Sequence, residues 1–242
     1  MIGKITTSIK ALNLLRSQLY IFYPKEILKD KRVAILGAAA TAFEEEKGNY
    51  IESFDIVVRI NKALHSWRPS QERYIGKRTD ILFHSFYENE SSGGGPINYD
   101  EFVEQFHLQY LVHPDNSWKG YRTHLNFYKR HPQKIPSYIL SRRMADELEK
   151  KFKNFSPTVG FSALYSVLNS PCAELYITGF TFFKTPYVQG YRDHLLSLEA
   201  NDSHIKEQGL HNPELEFQLF KSELSKSSIK KISLDRGLNS IV

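Results

Sequence analysis

The stretch KRVAILGAAATAF, residues 31–43, has the form of a buried strand that runs into a tight turn. Val33 to Leu36 are apolar, Gly37 follows them directly, and small residues and then a charged run come next. A strand that is apolar at every position is typical of a parallel sheet with helices on both faces, because neither side of the strand meets water. The stretch therefore predicts a strand of an α/β fold.

Further strands and helices alternate along the chain. Strands are predicted at 54–61, 80–86, 109–114, 174–180 and 230–235. Helices are predicted at 99–107, 141–154, 160–169 and 213–225, whereas 114–137 reads as loop-rich and aromatic. The alternation predicts a single α/β domain over residues 29–242, with a doubly wound, Rossmann-like and mostly parallel sheet.

Residues 1–28 read as a separate, amphipathic helical segment. Apolar side chains recur there at helical spacing, at Ile5, Ile9, Leu12, Leu15, Leu19 and Phe22. Two interpretations are open. We favour a helix docked on the domain, since such helices are ordinary in soluble proteins, and the alternative is an interfacial helix in peripheral contact with a membrane. The sequence has no run of eighteen apolar residues, so no transmembrane helix is predicted.

Composition narrows the choice of partners and compartment. The 242 residues carry a formal net charge of +5 without a long Lys/Arg block, which argues against a nucleic acid partner. This mild excess suits an anionic small molecule or anionic lipid instead. The single cysteine, Cys172, allows neither an intrachain disulfide nor a multi-cysteine zinc site. We therefore predict a cytoplasmic protein, with the inner face of the membrane as its alternative location.

Ligands of doubly wound sheets bind at the carboxyl ends of the strands. That rule points to four places, which are Gly37–Thr41, Arg59–Asn61, His84–Ser85 and Gly179–Thr181. Strand alternation puts Arg59 and Asn61 on one face. They form either a polar pair for a ligand or, through Arg59, a structural ion pair with Asp55 or another acid, and the pattern leaves both open.

One predicted helix start could bind an anion. Ser156 or Thr158 can cap the helix at 160–169, and Gly160 keeps its first turn open. Free backbone N–H groups at such a terminus favour an anion, while an ordinary capped helix is the alternative.

A histidine precedes another predicted helix start. Asn212 is a good N-cap and Pro213 a good first helical residue, so His211 lies on the loop just before the helix. A histidine titrates near neutral pH, which suits a general base. Glu216, in the first turn, could orient that base.

Four segments, taken in order, resemble the sialylmotif regions of glycosyltransferase family 29, the animal-type sialyltransferases. VAILGAAATAFEEEKGNYIESFDIVVRIN (33–61) resembles the large sialylmotif, and IGKRTDILF (75–83) resembles the segment that follows it. PTVGFSALYSVLNSPCAELYITGF (157–180) resembles the small sialylmotif. HNPELE (211–216) resembles the very small motif, a His and a Glu separated by four residues. The resemblance covers most of residues 33–220.

The resemblance implies a fold of the modified GT-A kind and a reaction that is inverting and needs neither metal nor cofactor. In that reaction a 2-keto sugar acid moves from a CMP-sugar donor to the hydroxyl of a glycan or glycolipid acceptor. An Asp-x-Asp sequence, the usual metal–diphosphate site of other nucleotide-sugar enzymes, occurs nowhere in the chain.

The resemblance also implies roles for individual residues. His211 would take the proton from the acceptor hydroxyl, with Arg59 and Glu216 in supporting roles. One of Tyr187, Tyr191 and His194 would stabilise the leaving phosphate. The implied donor-binding residues are Gly37, Ala38, Ala39, Asn61, Thr158, Gly160, Gly179 and Phe180.

The chain departs from the family pattern at three points. Ala38 stands where the family has Asn, Cys172 lacks the partner for the family's disulfide, and a membrane-anchored stem is missing. A cytoplasmic bacterial enzyme would account for all three. This setting leaves both CMP-sialic acid and CMP-Kdo open as donors. A non-catalytic homologue that scaffolds glycan synthesis is the other alternative.

Overall fold

The computed structural model describes residues 2–89, 93–152, 154–185 and 209–242. The strands in these ranges are β1 (Leu19–Phe22), β2 (Arg32–Leu36), β3 (Ile56–Ile60), β4 (Ile81–Phe83), β5 (Tyr110–His113), β6 (Ser137–Leu140), β7 (Glu174–Thr178) and β8 (Ile232–Leu234). The longer helices are α1 (Ile2–Gln18), α6 (Tyr99–Phe106), α7 (Trp118–Arg130), α8 (Arg142–Phe152), α9 (Val159–Leu168) and α10 (Pro213–Lys226). The short helices are α2 (Pro24–Ile27), α3 (Gly48–Glu52), α4 (Ala63–Ser66), α5 (Glu72–Ile75) and α11 (Arg236–Asn239), with single 3₁₀ turns at Ala40–Phe43 and Pro69–Gln71.

The strands of the described ranges form one eight-stranded sheet in the order β1-β6-β5-β4-β3-β2-β7-β8. All neighbouring pairs are parallel. From β2 to β6 the chain moves outward on one side, and β7 then returns to the other side of β2. This reversal creates a switch point between β2 and β7, where doubly wound sheets open a crevice at the carboxyl ends of their strands. The predicted α/β fold with a mostly parallel, doubly wound sheet is confirmed.

Helices cover both faces of the sheet. On one face α8, α9 and α10 bury apolar side chains such as Leu148 and Phe220. On the other face α1, α6 and α7 surround Phe127, while α3 and α5 surround Ile51. Cys172 belongs to the first cluster, and burial raises the pKa of its thiol to about 12. This cysteine therefore packs in the core.

Helix α7 lies where the sequence predicted a loop-rich region. The Ser117 hydroxyl caps it by accepting the Lys119 N–H at 3.1 Å. Lys129 and Arg130 lie in its last turn, where positive charge is favourable. Its buried residues follow helical spacing, but several of them are polar, so the apolar pattern did not predict the helix. The buried residues are Gly120, Thr123, His124, Phe127 and Tyr128.

Two four-residue strands at one edge of the sheet, β1 and β6, were not predicted. Leu19 and Phe22 continue the helical spacing of the preceding residues, yet the helix ends at Gln18 and Leu19–Phe22 pairs with β6. Helix α1 is docked on α7, as favoured, and the contact uses Ala11 and Leu14 together with Leu15 of the apolar stripe. None of the described helices is long and apolar enough to span a bilayer.

Candidate active site

The carboxyl ends of β2 and β7 meet at two glycines. The Gly37 N–H donates to the Thr178 carbonyl at 2.8 Å, and the Ala39 N–H donates to the Gly179 carbonyl at 3.0 Å. A Cβ atom on Gly37 would overlap the Gly179 carbonyl, and Gly179 has a φ of 72°. Only glycine permits so close an approach of two backbones together with that conformation. Because the N–H groups of Gly37 and Ala39 are already bonded, a ligand at this edge draws its donors from other groups.

Asp235, which follows β8, holds this contact between the glycines. Its Oδ2 accepts the Thr178 hydroxyl at 2.8 Å and the Gly179 N–H at 2.7 Å. Its Oδ1 accepts the Leu238 N–H at 2.6 Å and thereby caps α11. The residue is only 8% exposed, so these bonds form largely away from water. The sequence analysis did not identify Asp235, although it ends a predicted strand at the same edge of the sheet.

The second part of the site is the 158–160 turn, where α9 begins. The Thr158 Oγ1 caps the helix by accepting the Phe161 N–H at 3.0 Å. Glu216, from α10, accepts the Thr158 N–H at 2.6 Å with one carboxylate oxygen and the Thr158 hydroxyl at 2.9 Å with the other. The start of α9 is therefore held by a side chain of the next long helix.

Glu216 has a different position from the one the sequence suggested. Its hydrogen bonds go to Thr158, whereas the sequence analysis expected it to orient His211. Glu216 is 2% exposed, and burial raises its pKa to about 8, although the hydrogen bonds from Thr158 oppose that rise. It thus acts on the 158–160 turn through direct hydrogen bonds.

His211 is attached to the loop that leads into this turn. Its Nδ1 lies 2.7 Å from the Ser156 carbonyl oxygen, and the Ser156 N–H donates to the Leu210 carbonyl at 2.8 Å. Because a carbonyl only accepts, the neutral ring carries its proton on Nδ1, and Nε2 is the nitrogen that can take up another. Ser156 precedes Thr158 by two residues, so one short loop carries the anchor of the histidine and the start of α9.

Phe180 lies between the two parts of the site. A Cβ atom on Gly37 would come 3.1 Å from the Phe180 Cδ2 atom, and one on Gly160 would come 3.5 Å from its Cε1 atom. The ring therefore adjoins both the glycine contact and the 158–160 turn. The structure brings together six of the eight donor-binding candidates in this way, namely Gly37, Ala39, Thr158, Gly160, Gly179 and Phe180, with Ala38 half-buried in the same turn as Gly37.

Asn61 lies at the carboxyl end of β3 and adopts a φ of 52°. Its N–H donates to the Phe83 carbonyl at 2.8 Å, and its Oδ1 accepts the Ser85 N–H at 3.0 Å. Asn61 therefore joins the ends of β3 and β4 along the same edge of the sheet as the glycine contact.

Arg59 does not lie beside Asn61, contrary to the strand pattern. It is 1% exposed, and its guanidinium donates to the Ile75 carbonyl at 2.6 Å and the Arg78 carbonyl at 3.3 Å. Burial lowers its pKa to about 10. Alternation fails because β3 ends at Ile60 and Asn61 is left-handed. Among the described residues Arg59 makes no ion pair with Asp55, and its guanidinium supports the loop after α5; its supporting role for a ligand stays a prediction.

Three further candidates, Tyr187, Tyr191 and His194, lie outside the described residues. Their implied role at the leaving phosphate stays a prediction.

A buried histidine cluster lies beyond Asn61, around Phe86. The rings of His84, His113 and His124 each contact the Phe86 ring, and the centroids of His113 and His124 are 5.4 Å apart. Burial lowers the pKa of His84 and of His113 to about 4, and that of His124 well below its ordinary value. All three imidazoles are therefore neutral at pH 7.

The histidine cluster is expected to make the fold acid-sensitive. Below pH 6.5 the histidines of the unfolded chain become protonated, whereas the buried rings of His84 and His113 stay neutral until about pH 4. The free energy of unfolding therefore falls as the pH drops through that window. Between pH 6.5 and 5 the loss is about 2 kcal/mol per histidine. Glu216 acts in the opposite direction, because its raised pKa favours the folded state as the pH falls. Its contribution offsets the loss of stability from about one of the three histidines.

Urea denaturation at pH 7.5, 6 and 5 measures this effect. His65→Gln is the matched control, because His65 is exposed. It should leave the pH dependence unchanged. A free energy of unfolding that stays constant from pH 7.5 to 5 would contradict buried, neutral histidines.

The switch point between β2 and β7 and the polar groups around it are typical of α/β proteins that bind their ligands at the strand ends. The sequence model of glycosyltransferase family 29 (sialyltransferase) matches residues 4–229. The chain therefore belongs to that family, whose members are sialyltransferase-type glycosyltransferases. No curated protein sequence matches the chain.

Two solved structures of mammalian sialyltransferases share the fold. One, in complex with Gal-beta-1-3GalNAc-ortho-nitrophenol, is 15% identical with a TM-score of 0.53, and the match covers 91% of this chain and 77% of the other. A second mammalian sialyltransferase is 14% identical with the same TM-score of 0.53, and the match covers 93% of this chain and 78% of the other.

Proposed function

We propose that this protein is an inverting, metal-independent sialyltransferase that moves sialic acid from CMP-sialic acid to a hydroxyl of a glycan or glycolipid. His211 acts as the general base. The observation that supports this most is the attachment of His211 to the Ser156 carbonyl, at 2.7 Å, two residues before the 158–160 turn. A base hydrogen-bonded to the short loop that carries the anion donors suits a transfer in which a proton is removed while phosphate leaves.

In the proposed reaction the acceptor oxygen forms a bond to C2 of the sugar acid as the bond from C2 to the phosphate oxygen breaks. The electron pair of that bond leaves with CMP. His211 Nε2 takes the proton from the acceptor hydroxyl, and the Ser156 carbonyl stabilises the imidazolium through Nδ1–H. Inversion follows because acceptor and CMP occupy opposite sides of C2.

The 158–160 turn is suited to the growing charge on the departing phosphate. The N–H groups of Val159 and Gly160 belong to the first turn of α9 and have no acceptor within the helix. Groups of this kind, fixed before the reaction, stabilise charge that develops in the transition state. The Glu216 carboxylate keeps the turn in place by accepting both donors of Thr158.

Thermal-shift titrations with CMP, CDP, UMP and AMP, with EDTA present, test the donor. A ligand that binds only the folded protein stabilises it by about 2.7 kcal/mol at one hundred times its Kd. A selective shift with CMP is the expected result. No shift with CMP, or a shift that needs metal and another nucleotide, would overturn the proposal.

The sugar is tested by CMP release from CMP-sialic acid and from CMP-Kdo in the presence of acceptor glycans. Turnover of CMP-sialic acid supports the proposed donor, while turnover of CMP-Kdo alone would replace it with the other 2-keto sugar acid. Binding of CMP without turnover of either donor would favour the non-catalytic homologue, an alternative that Ala38 in place of the family's Asn leaves open.

Gly160→Ala is expected to weaken CMP binding without harming the fold. The added methyl group meets protein atoms only at ordinary distances, 3.5 Å to Phe180 and 3.8 Å to Thr158. It would therefore intrude on the donor rather than on the core, and a clash of that size lowers affinity about tenfold to a hundredfold. The CMP titration and the melting temperature measure the two effects.

Gly37→Ala is the contrasting variant. Its methyl group would overlap the Gly179 carbonyl, so the melting temperature itself should fall. If the Gly160→Ala protein binds CMP as the wild type does, the 158–160 turn is not part of the donor site.

A further inference from the structure

Exposed apolar side chains concentrate near the N-terminal helix. Among the described residues eleven large apolar ones are exposed, and five of these lie between residues 9 and 23, namely Ile9, Leu12, Tyr20, Ile21 and Tyr23. A sixth, Trp118, is 78% exposed and begins α7, the helix on which α1 packs. Single exposed apolar residues are ordinary, but a concentration of them marks a surface that something else covers.

The docking of α1 leaves part of its apolar stripe uncovered, because Leu15 packs against the core cluster while Ile9 and Leu12 do not. Ala11 and Leu14 face α7 and are buried, at 0% and 8% exposure. Ile9 and Leu12 point away from that contact and are 56% and 39% exposed. Arg16 is exposed one turn after Leu12. The outer face of α1 thus carries aliphatic side chains next to positive charge.

This pair of helices carries positive charge without acidic residues. Helix α1 contains Lys4, Lys10 and Arg16, helix α7 contains Lys119, Arg122, Lys129 and Arg130, and neither contains Asp or Glu. The whole chain has a net charge of +5 and the two helices have +7, so the rest has −2. Of the seven, Arg130 is paired with Glu88 at 2.6 Å. The two helices therefore carry a net positive charge that the rest of the chain, taken together, does not.

We propose that the α1–α7 pair is a docking surface for a bilayer that contains anionic phospholipid. Lys and Arg near such a bilayer are attracted by its negative surface, aliphatic side chains enter the boundary with the acyl chains, and tryptophan favours the headgroup region. RNA would use the same positive charge and the exposed rings of Tyr20, Tyr23 and Trp118, but it would gain little from the aliphatic side chains of Ile9, Leu12 and Ile21, which suit a bilayer.

Sedimentation of the full chain with lipid vesicles tests this surface. The protein should bind vesicles of phosphatidylcholine mixed with phosphatidylglycerol and remain unbound with pure phosphatidylcholine. Each basic side chain near the surface contributes about 1 kcal/mol, so Lys10→Gln with Arg16→Gln should lower the partition coefficient about thirtyfold. Ile9→Ser with Leu12→Ser should lower it about tenfold or more, through lost apolar burial.

Matched controls lie elsewhere on the surface. Lys150→Gln with Lys226→Gln removes two exposed charges on α8 and α10, and Val103→Ser removes an exposed aliphatic side chain on α6. These variants should bind vesicles as the wild type does, and thermal melting checks that all variants fold.

The proposal would be overturned by equal losses in the variants and controls, by an absence of binding to anionic vesicles, or by binding to single-stranded RNA instead of vesicles. A dimer in analytical ultracentrifugation that Ile9→Ser with Leu12→Ser dissociates would also overturn it, since a second copy would then cover the face. All of these readouts are independent of CMP and of transfer activity.

Discussion

His211→Ala should lower the rate of sugar transfer about 10²- to 10⁴-fold, which is the usual contribution of a general base. CMP should still bind with nearly unchanged affinity. CMP affinity is retained because the Nδ1 hydrogen bond of His211 goes to the Ser156 carbonyl and not to the 158–160 turn itself. Thr158 keeps its own support from Glu216 when the ring is removed, so the 158–160 turn is retained. Transfer assays and a CMP thermal-shift titration on the same preparation separate the two quantities.

His65→Ala is the matched control for this experiment. His65 is exposed and lies on α4, and its replacement should change neither the rate nor CMP binding. If His211→Ala loses CMP affinity and activity together, His211 contributes to donor binding rather than acting as the base. If activity persists within a few-fold of the wild type, another group removes the proton.

Apolar runs made the inner strands predictable. Strands such as β2 and β7 are buried at nearly every position, so their sequences differ sharply from those of the helices that flank them. Strand β1 was not predicted, because Leu19 and Phe22 continue the helical spacing of α1. Helix α7 was not predicted, because Thr123 and His124 are polar and yet face the core. Local pattern cannot show which polar residues a fold buries.

The candidate site was predictable where it depends on strand ends and helix starts. Gly37, Gly179, Thr158 and His211 follow from local sequence and from the family resemblance. The hydrogen bonds that connect them do not. Glu216 reaches Thr158 across 58 positions of sequence because α10 packs beside α9, and no motif reports that distance. The same is true of backbone N–H groups, whose partners depend on the neighbouring strand.

Asp235→Ala is expected to destabilise the fold by about 3 kcal/mol or more and to weaken CMP binding. The substitution leaves the Thr178 hydroxyl, the Gly179 N–H and the Leu238 N–H without their carboxylate acceptor, and each buried donor left unsatisfied costs about 1–3 kcal/mol. Gly179 also loses the bond that holds its left-handed conformation against Gly37. Urea denaturation and a CMP titration measure the two losses.

Asp55→Ala provides the comparison for this prediction. Asp55 is exposed and accepts one backbone N–H, from Arg32 at 2.8 Å, so its loss should cost less than 1 kcal/mol. If Asp235→Ala lowers the free energy of unfolding no more than Asp55→Ala does, the three hydrogen bonds of Asp235 contribute little. The contact between Gly37 and Gly179 is then stable without Asp235. If it is destabilised while CMP affinity is unchanged, Asp235 supports the sheet edge but not the nucleotide. Residue 235 lies beyond the matched residues 4–229, so loss of both would show that the donor site depends on a side chain outside the part of the chain that the family shares.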